Sequence, residues 1–495
     1  MSLKAVFLIR LAVCLVTTGV LVGCMTLGPD YDAERATKVP NQPQDWQPPI
    51  AHGGDLASLQ DWWRQFNDPT LVALIAAAQE QSNTMAQAAL RIAQTRALLV
   101  GTNAAALPVV NGSAGLTRGT FQLGGPVALA TTSQAQLQSS WELDLFGGLA
   151  RGSEAARARL EAQVANWHDA RIAVAADTAN LYVNYRACEQ FAALALSDAT
   201  SRARTAKLTE QLSAAGFQSP ANAALARASA AEGQGRWVAQ QADCDLSVKA
   251  LVALTGLVEA DLRVRLAPQS KILPRPSMPA VQQVPAQVLS QRPDLAAAER
   301  ELAAASADIG VREAERFPRL SLLGSIGPLD FSTANLAISA TTWSIGPSLS
   351  MPIFDAGRRA ANVDTAKIAY QAAEVNYRSQ ARRAVREVED ALIRLNSLSL
   401  RDTEAEISAK GYRQSLTASE EKFKFGLASI LDLEEVRRLS VNADNILASV
   451  RRDRVNAMIA LYRAVGGGWT LTDSMAVNGL AQTALKDMTI GNSKP

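Results

Sequence analysis

Hydrophobic and polar positions alternate with a two-residue period in two separate parts of the chain. In "AQLQSSWELDLF", Ala135, Leu137, Trp141, Leu143 and Leu145 fall on one face and Gln136, Gln138, Ser140, Glu142 and Asp144 on the other. Trp343, Ile345, Leu349, Met351 and Ile353 oppose Thr342, Ser344, Gly346, Ser348 and Ser350 in the same way. Apolar-out, polar-in strands of about ten residues are the pattern of an outer-membrane barrel with a wet lumen. Each half pairs such a strand with an earlier one, which predicts strands at about 107–118, 133–146, 317–327 and 341–354. The intervening segment 119–132 reads as an outward-facing loop. Four strands cannot close a barrel, for which about eight is the minimum. An open sheet in lipid would leave backbone groups unpaired at several kcal/mol each. Three chains sharing one twelve-stranded barrel resolve the conflict.

Between the strand pairs the pattern changes to long helices. Neither proline nor glycine occurs between Gly152 and Gly216, and no proline occurs between Pro352 and Pro495. A helix of ~65 residues is about 100 Å long, far more than one globular domain needs. Both helices meet the same kind of turn. "KFGLASILDLEEVRR" stops at Gly426 and restarts at Ser429, with Asp432 completing a capping box. "SAAGFQSPANAALAR" repeats this about 210 residues earlier, with Gly216, Ser219 and Pro220 at the first helical position. "NTMAQAALRIA" likewise answers "PDLAAAERELA", and "SWELDLFGGLAR" answers "LSMPIFDAGRRA" with a two-residue slip. The chain is a duplicated β-β-α-α unit, and the glycine turns are the far ends of two helical hairpins.

Composition narrows the class. The net charge is +2 with no long basic tract, so the footprint of a nucleic-acid binder is missing. Hydrophobic residues make up 48% but aromatics only 5%, which favours long alanine-rich helices over a thick aromatic core. No stretch after the first residues has 18 uninterrupted apolar positions, so a helical membrane span is not expected. Lys4 and Arg10 precede the short apolar run "LAVCLVTTGVLVGC", which fits a secretory leader. Leu21-Val22-Gly23-Cys24 resembles the bacterial lipobox, so Cys24 is the expected lipidation site and mature N-terminus. Met25 follows it, which by resemblance to sorted lipoproteins directs the chain to the outer membrane.

Taken together, the leader, "WELDLFGG" and "MPIFDAGR" at the strand-to-helix corners, "QRPDLAAAER" and the two turn motifs resemble the TolC-like outer-membrane efflux channels. The likeness is strongest to the lipoprotein (NodT-type) branch that serves resistance–nodulation–division pumps. It implies a homotrimer with a twelve-stranded barrel, a periplasmic helical tunnel and a mixed equatorial region. It further implies that the tips, with Gly216, Phe217, Gly426 and Leu427, dock a periplasmic adaptor protein joined to an inner-membrane pump. Asp432 and Glu435, on one helix face, match the positions of the family's constricting acids and would form rings of carboxylates at the entrance. The family's gate-locking Arg and Tyr fall at Ala428 and Phe423, and the first-half acid at Asn222. Arg437 or Arg438 are the substitutes the sequence offers for holding a closed state.

The expected organisation is a leader at 1–23, a lipid-anchored arm at 24–68, a first repeat at 69–266 and a Pro-rich connector at 267–292. A second repeat follows at 293–466, then a tail at 467–495. The tip turns fall at 214–220 and 424–430. Cys188 and Cys244 each lie 28 residues from Gly216, one on either arm of the first hairpin, and an oxidising compartment would join them. Catalysis finds little support. His52 and His168 have no partner at metal-ligand or triad spacing, "GGLARG" lacks the Lys-Ser/Thr of a phosphate loop, and no cofactor is expected. Trp141 and Trp343 suit the lipid interface. The function expected is a passive exit duct for drugs or other small solutes. Type I protein secretion through the same duct and a poreless structural lipoprotein are the alternatives.

Overall fold

The computed structural model describes residues 26–38, 62–122, 127–276 and 290–470. Cys24, the leader, His52 and most of the tail lie outside them. Helices α1 (Pro69–Gln81) and α2 (Asn83–Ala104) lead into strands β1 (Val109–Phe121) and β2 (Ala128–Leu143). The hairpin α3 (Gly148–Ala214) and α4 (Pro220–Thr255) follows, then the short α5 (Glu259–Leu266). The second half runs α6 (Pro293–Ala314), β3 (Arg319–Thr333), β4 (Ala337–Ser350), α7 (Arg358–Lys424) and α8 (Ile430–Ala464). Helix starts at 83, 148 and 220 recur at 293, 358 and 430, a displacement of 210 residues.

The strand boundaries correct the sequence reading. Each strand boundary lies two to six residues nearer the hairpin turn than predicted, and the segment 119–132 is mostly ladder rather than loop. Thr, Gly and Ala there carry no alternation signal, yet their backbones pair. At the helix ends, Asp144 accepts from the backbone N–H of Ala150, and Asp355 from those of Gly357 and Arg359. These bonds satisfy backbone donors at the starts of the long helices. The long helices begin at left-handed glycines, Gly147 (φ 73°) and Gly357 (φ 88°), themselves 210 apart, so no slip is needed at the caps. α3 thus starts at Gly148, within the expected strand-to-helix corner and ahead of the run that lacks proline and glycine.

All four strands form one antiparallel sheet in the order β1-β2-β3-β4, leaving β1 and β4 as open edges. Register sorts the side chains. Leu137, Ile326 and Trp343 stand opposite one another, as do Leu143, Leu320 and Leu349. On the other face, Asn111, Gln138, Ser325 and Ser344 share a row, and the two serine hydroxyls bond at 2.9 Å. Among the described residues no helix is long and apolar enough to cross a membrane.

The core lies midway along the hairpins. Trp62, Phe66, Leu71, Tyr182, Leu251 and Leu461 are among its buried members. Asp68 caps α1 through the N–H groups of Thr70 and Leu71, and its other oxygen accepts from the Tyr182 hydroxyl. Arg186, fully buried, lies over the Tyr182 ring and donates to the carbonyls of Leu266 and Pro268 at 2.8 Å each. The arm, α3 and the start of the connector are thereby locked together. Beyond the second repeat, Trp469 is also buried, so the packed chain runs past the predicted 466 boundary.

Candidate functional site

Both hairpin turns are built alike. α3 ends with the Phe217 N–H on the Leu212 carbonyl (2.8 Å) and the Gly216 N–H on that of Ser213 (3.0 Å). α7 ends with Leu427 on Lys422 (2.8 Å) and Gly426 on Phe423 (3.0 Å). These paired bonds need a left-handed residue, and Gly216 and Gly426 supply it at φ 79° and 75°. Ser219 and Ser429 then cap the returning helices through the N–H groups of Asn222 and Asp432. Phe217, Phe425 and Leu427 are each more than three-quarters exposed.

The expected acids sit at the second turn. Asp432 Oδ2 accepts from the Ser429 backbone N–H (3.0 Å) and hydroxyl (2.7 Å), closing the capping box. The Ser429 hydroxyl and N–H hold its carboxyl below the usual range. Glu435 accepts two bonds from Arg438, at 2.6 and 3.1 Å, and that guanidinium likewise depresses its pKa. Both carboxylates are solvent-facing, and within one chain they do not contact one another. Phe423 packs with Ile430 and Leu433 beneath the turn.

The two arginines offered as substitutes part company. Arg438 is exposed, whereas Arg437 is 1% exposed and reaches across helices. It donates to Glu434 on its own helix (2.5 Å), to Thr205 on α3 (3.1 Å) and to Glu420 on α7 (3.4 Å). Glu434 is clamped from the other side by Arg202 of α3 (2.6 Å) and Ser229 of α4 (2.7 Å). Asp198 holds Arg202 in turn, through two contacts of 2.9 Å. One carboxylate between two buried guanidinium groups therefore ties the two hairpins together just above the tips. Arg202, Asp198 and Glu434 escaped the sequence reading, because the partners are 232 residues apart and each alone reads as a surface charge.

Higher up the first hairpin, Cys188 and Cys244 are joined as a disulfide, with Cα atoms 5.5 Å apart. His168 is buried between Trp167 and Trp469, at ring distances of 5.0 and 6.1 Å. Among the described residues no group of three or more His, Cys, Asp and Glu is placed to hold a metal.

The chain covers most of its relatives' lengths. Nodulation protein T of Rhizobium leguminosarum bv. trifolii is 30% identical over 91% of this chain and 95% of its own. The solvent efflux pump outer membrane protein SrpC of Pseudomonas putida is 28% identical over 92% and 97%. Among solved structures, the outer-membrane channel OprN superposes with a TM-score of 0.79 at 28% identity, over 90% of this chain and 99% of that one. The outer membrane efflux protein profile matches twice, at residues 74–257 and 284–467, the same 210-residue displacement that separates the helix starts. The chain belongs to the outer membrane efflux protein family.

Proposed function

We propose that three copies of this chain close a twelve-stranded barrel and a helical tunnel, forming the passive outer-membrane exit duct of a tripartite efflux pump. The observation that carries this is the four-stranded sheet with two open edges, whose helix-side part is apolar on one face and mostly polar on the other. Such edges cannot stand unpaired in lipid, and α3 and α7, of 67 residues each, give a tunnel about 100 Å deep. The pump supplies energy and chooses the solute, so the chain carries no catalytic group or cofactor. Cys24 holds the lipid. The exposed Phe217, Phe425 and Leu427 at the tips offer apolar contacts to a periplasmic adaptor protein, and Asp432 and Glu435 ring the entrance.

The duplication dictates how copies join. β2 meets β3 with residue numbers that sum to 463, as in Leu137 with Ile326. Shifting β2 forward and β3 back by 210 residues turns that pair into β4 of one copy against β1 of the next, with the sum unchanged. Ser348 then faces Gly115 of the neighbouring copy, both on the polar side. In outer membranes of cells expressing Ser348→Cys with Gly115→Cys, oxidation should yield covalent trimers on non-reducing gels. Trimers lacking this cross-link while other registers react would overturn the junction, and a purely monomeric protein would overturn the duct.

A further inference from the structure

The sheet inverts its polarity along its length. Toward the helices, the lipid-side face carries Leu143, Leu320, Leu349, Ile326 and Trp343, and the lumen side carries amides and hydroxyls. Toward the hairpin turns, polar residues enter the lipid-side face, with Ser133 opposite Asp330 and Thr131 opposite Ser332, beside Leu116 and Leu129. The lumen side becomes apolar. Phe121 shares the parity of Asn111 on β1, and Phe331 the parity of Ser325 on β3, so both rings stand on the lumen face. Ile338 lies directly opposite Phe331.

The two phenyl rings come from strands that are not neighbours, yet their centroids lie 5.2 Å apart in an edge-to-face arrangement. They meet across β2, whose residues on that face are small: Ala128 opposite Phe121, Ala130 between Gly119 and Thr333, and Thr132 opposite Phe331. Ala130 is 5% exposed, the one buried position on β1 and β2. Small residues below two large rings build a raised apolar step on a wall that elsewhere carries mostly amides and hydroxyls, with Val109, Leu323 and Leu329 among them.

We infer that Phe121, Phe331 and Ile338 form an apolar girdle at the outer mouth of the lumen, which narrows and dries the exit for hydrophilic molecules. This rests on the trimeric duct proposed above, in which three copies would present six phenyl rings around one opening. Apolar constrictions hinder water and ions by dewetting while offering passing apolar solutes a favourable surface. The duct would then resist inward leakage of polar molecules from outside without a moving part at that end.

The test uses the full chain in the outer membrane of intact cells, with a reporter cysteine at Thr117, on the lumen face inward of the girdle. A bulky hydrophilic maleimide added outside must pass the rings to reach it, whereas a small cationic methanethiosulfonate serves as the control for a water-filled lumen. Phe121→Ala with Phe331→Ala should raise the maleimide rate by about fivefold or more. Phe121→Gln with Phe331→Gln keeps most of the bulk and should also raise it, because the wall is wetted. Unchanged rates in both variants, with the small reagent reacting throughout, would overturn the girdle. A Thr117→Cys that the small reagent reaches in no background would instead overturn the duct.

Discussion

The two helical hairpins are near-copies in length, 67 and 36 residues against 67 and 35, and differ in what holds them. The first is tied covalently. At the positions equivalent to Cys188 and Cys244 the second has Leu398 and Arg454, and its arms are joined instead by ion pairs such as Arg451 with Asp402 (3.1 Å) and Arg413 with Asp444 (2.8 Å). The tips differ in the same sense. Arg437 is buried and cross-braced, whereas Arg227 at the equivalent place is exposed and meets only Glu210 at 3.4 Å. Asp432 and Glu435 correspond to Asn222 and Leu225, so one hairpin alone carries the acids. Duplication preserved the geometry that backbone caps enforce, and left the bracing between helices free to diverge.

Removing the covalent tie should have the largest effect. Cys188→Ala with Cys244→Ala opens a loop closed across a separation of 56 residues, which in the chain-entropy description lowers stability by about 4 kcal/mol. Heat-induced loss of helical circular dichroism should shift down, with the first hairpin becoming the more protease-sensitive. Equal sensitivity of both hairpins would show that the disulfide does not distinguish them.

Glu434→Ala comes next. It leaves Arg437 and Arg202 without their shared counter-charge, at a cost of about 3 kcal/mol for a broken buried pair. Arg451→Ala, whose partners are partly exposed, should cost about 1 kcal/mol or less. If the two variants melt alike, the brace between hairpins is no stronger than a surface contact.

The smallest effect on stability, and the sharpest on function, is expected from Asp432→Asn with Glu435→Gln. This pair makes the second tip resemble the first while keeping side-chain size. Channels in planar bilayers should lose cation preference with trimers intact. Unchanged selectivity would reduce the acids to capping and surface roles. Acid should not mimic the variant at mild pH. Both carboxyls titrate below their unfolded values, so their contribution is complete above the usual carboxylate range and is lost only as pH falls through the lower folded values. Selectivity measured from pH 7 down to about 3 checks this.

Much of this comparison was legible in the chain itself. Gly216 and Gly426 announce the turns because only a left-handed residue ends a helix that way, and Ser219 and Ser429 announce the restarts. Cys188 and Cys244 follow from counting residues away from Gly216. The outer ends of the strands were hidden, since Thr131, Thr132 and Gly119 pair through backbone alone. So was the inversion of polarity, which needs the register of non-adjacent strands before Phe121 can be set beside Phe331. Glu434 was hidden for a further reason: its partners come from α3, α4 and α8, and no local pattern encodes a contact made between separate hairpins.

The equal lengths of α3 and α7 act as a tolerance on the whole assembly. One residue added to either helix would lift its tip by about 1.5 Å and rotate everything beyond the insertion by about 100°. Glu434 and Arg202 would then no longer face each other, although no residue of the brace had changed. Compensation would require a matching insertion in the other three long helices, or six further residues that complete a seven-residue block and so restore the rotation, though not the height. Length in these helices is therefore inherited as a set, and a single-residue insertion or deletion is a harsher change than most substitutions along them.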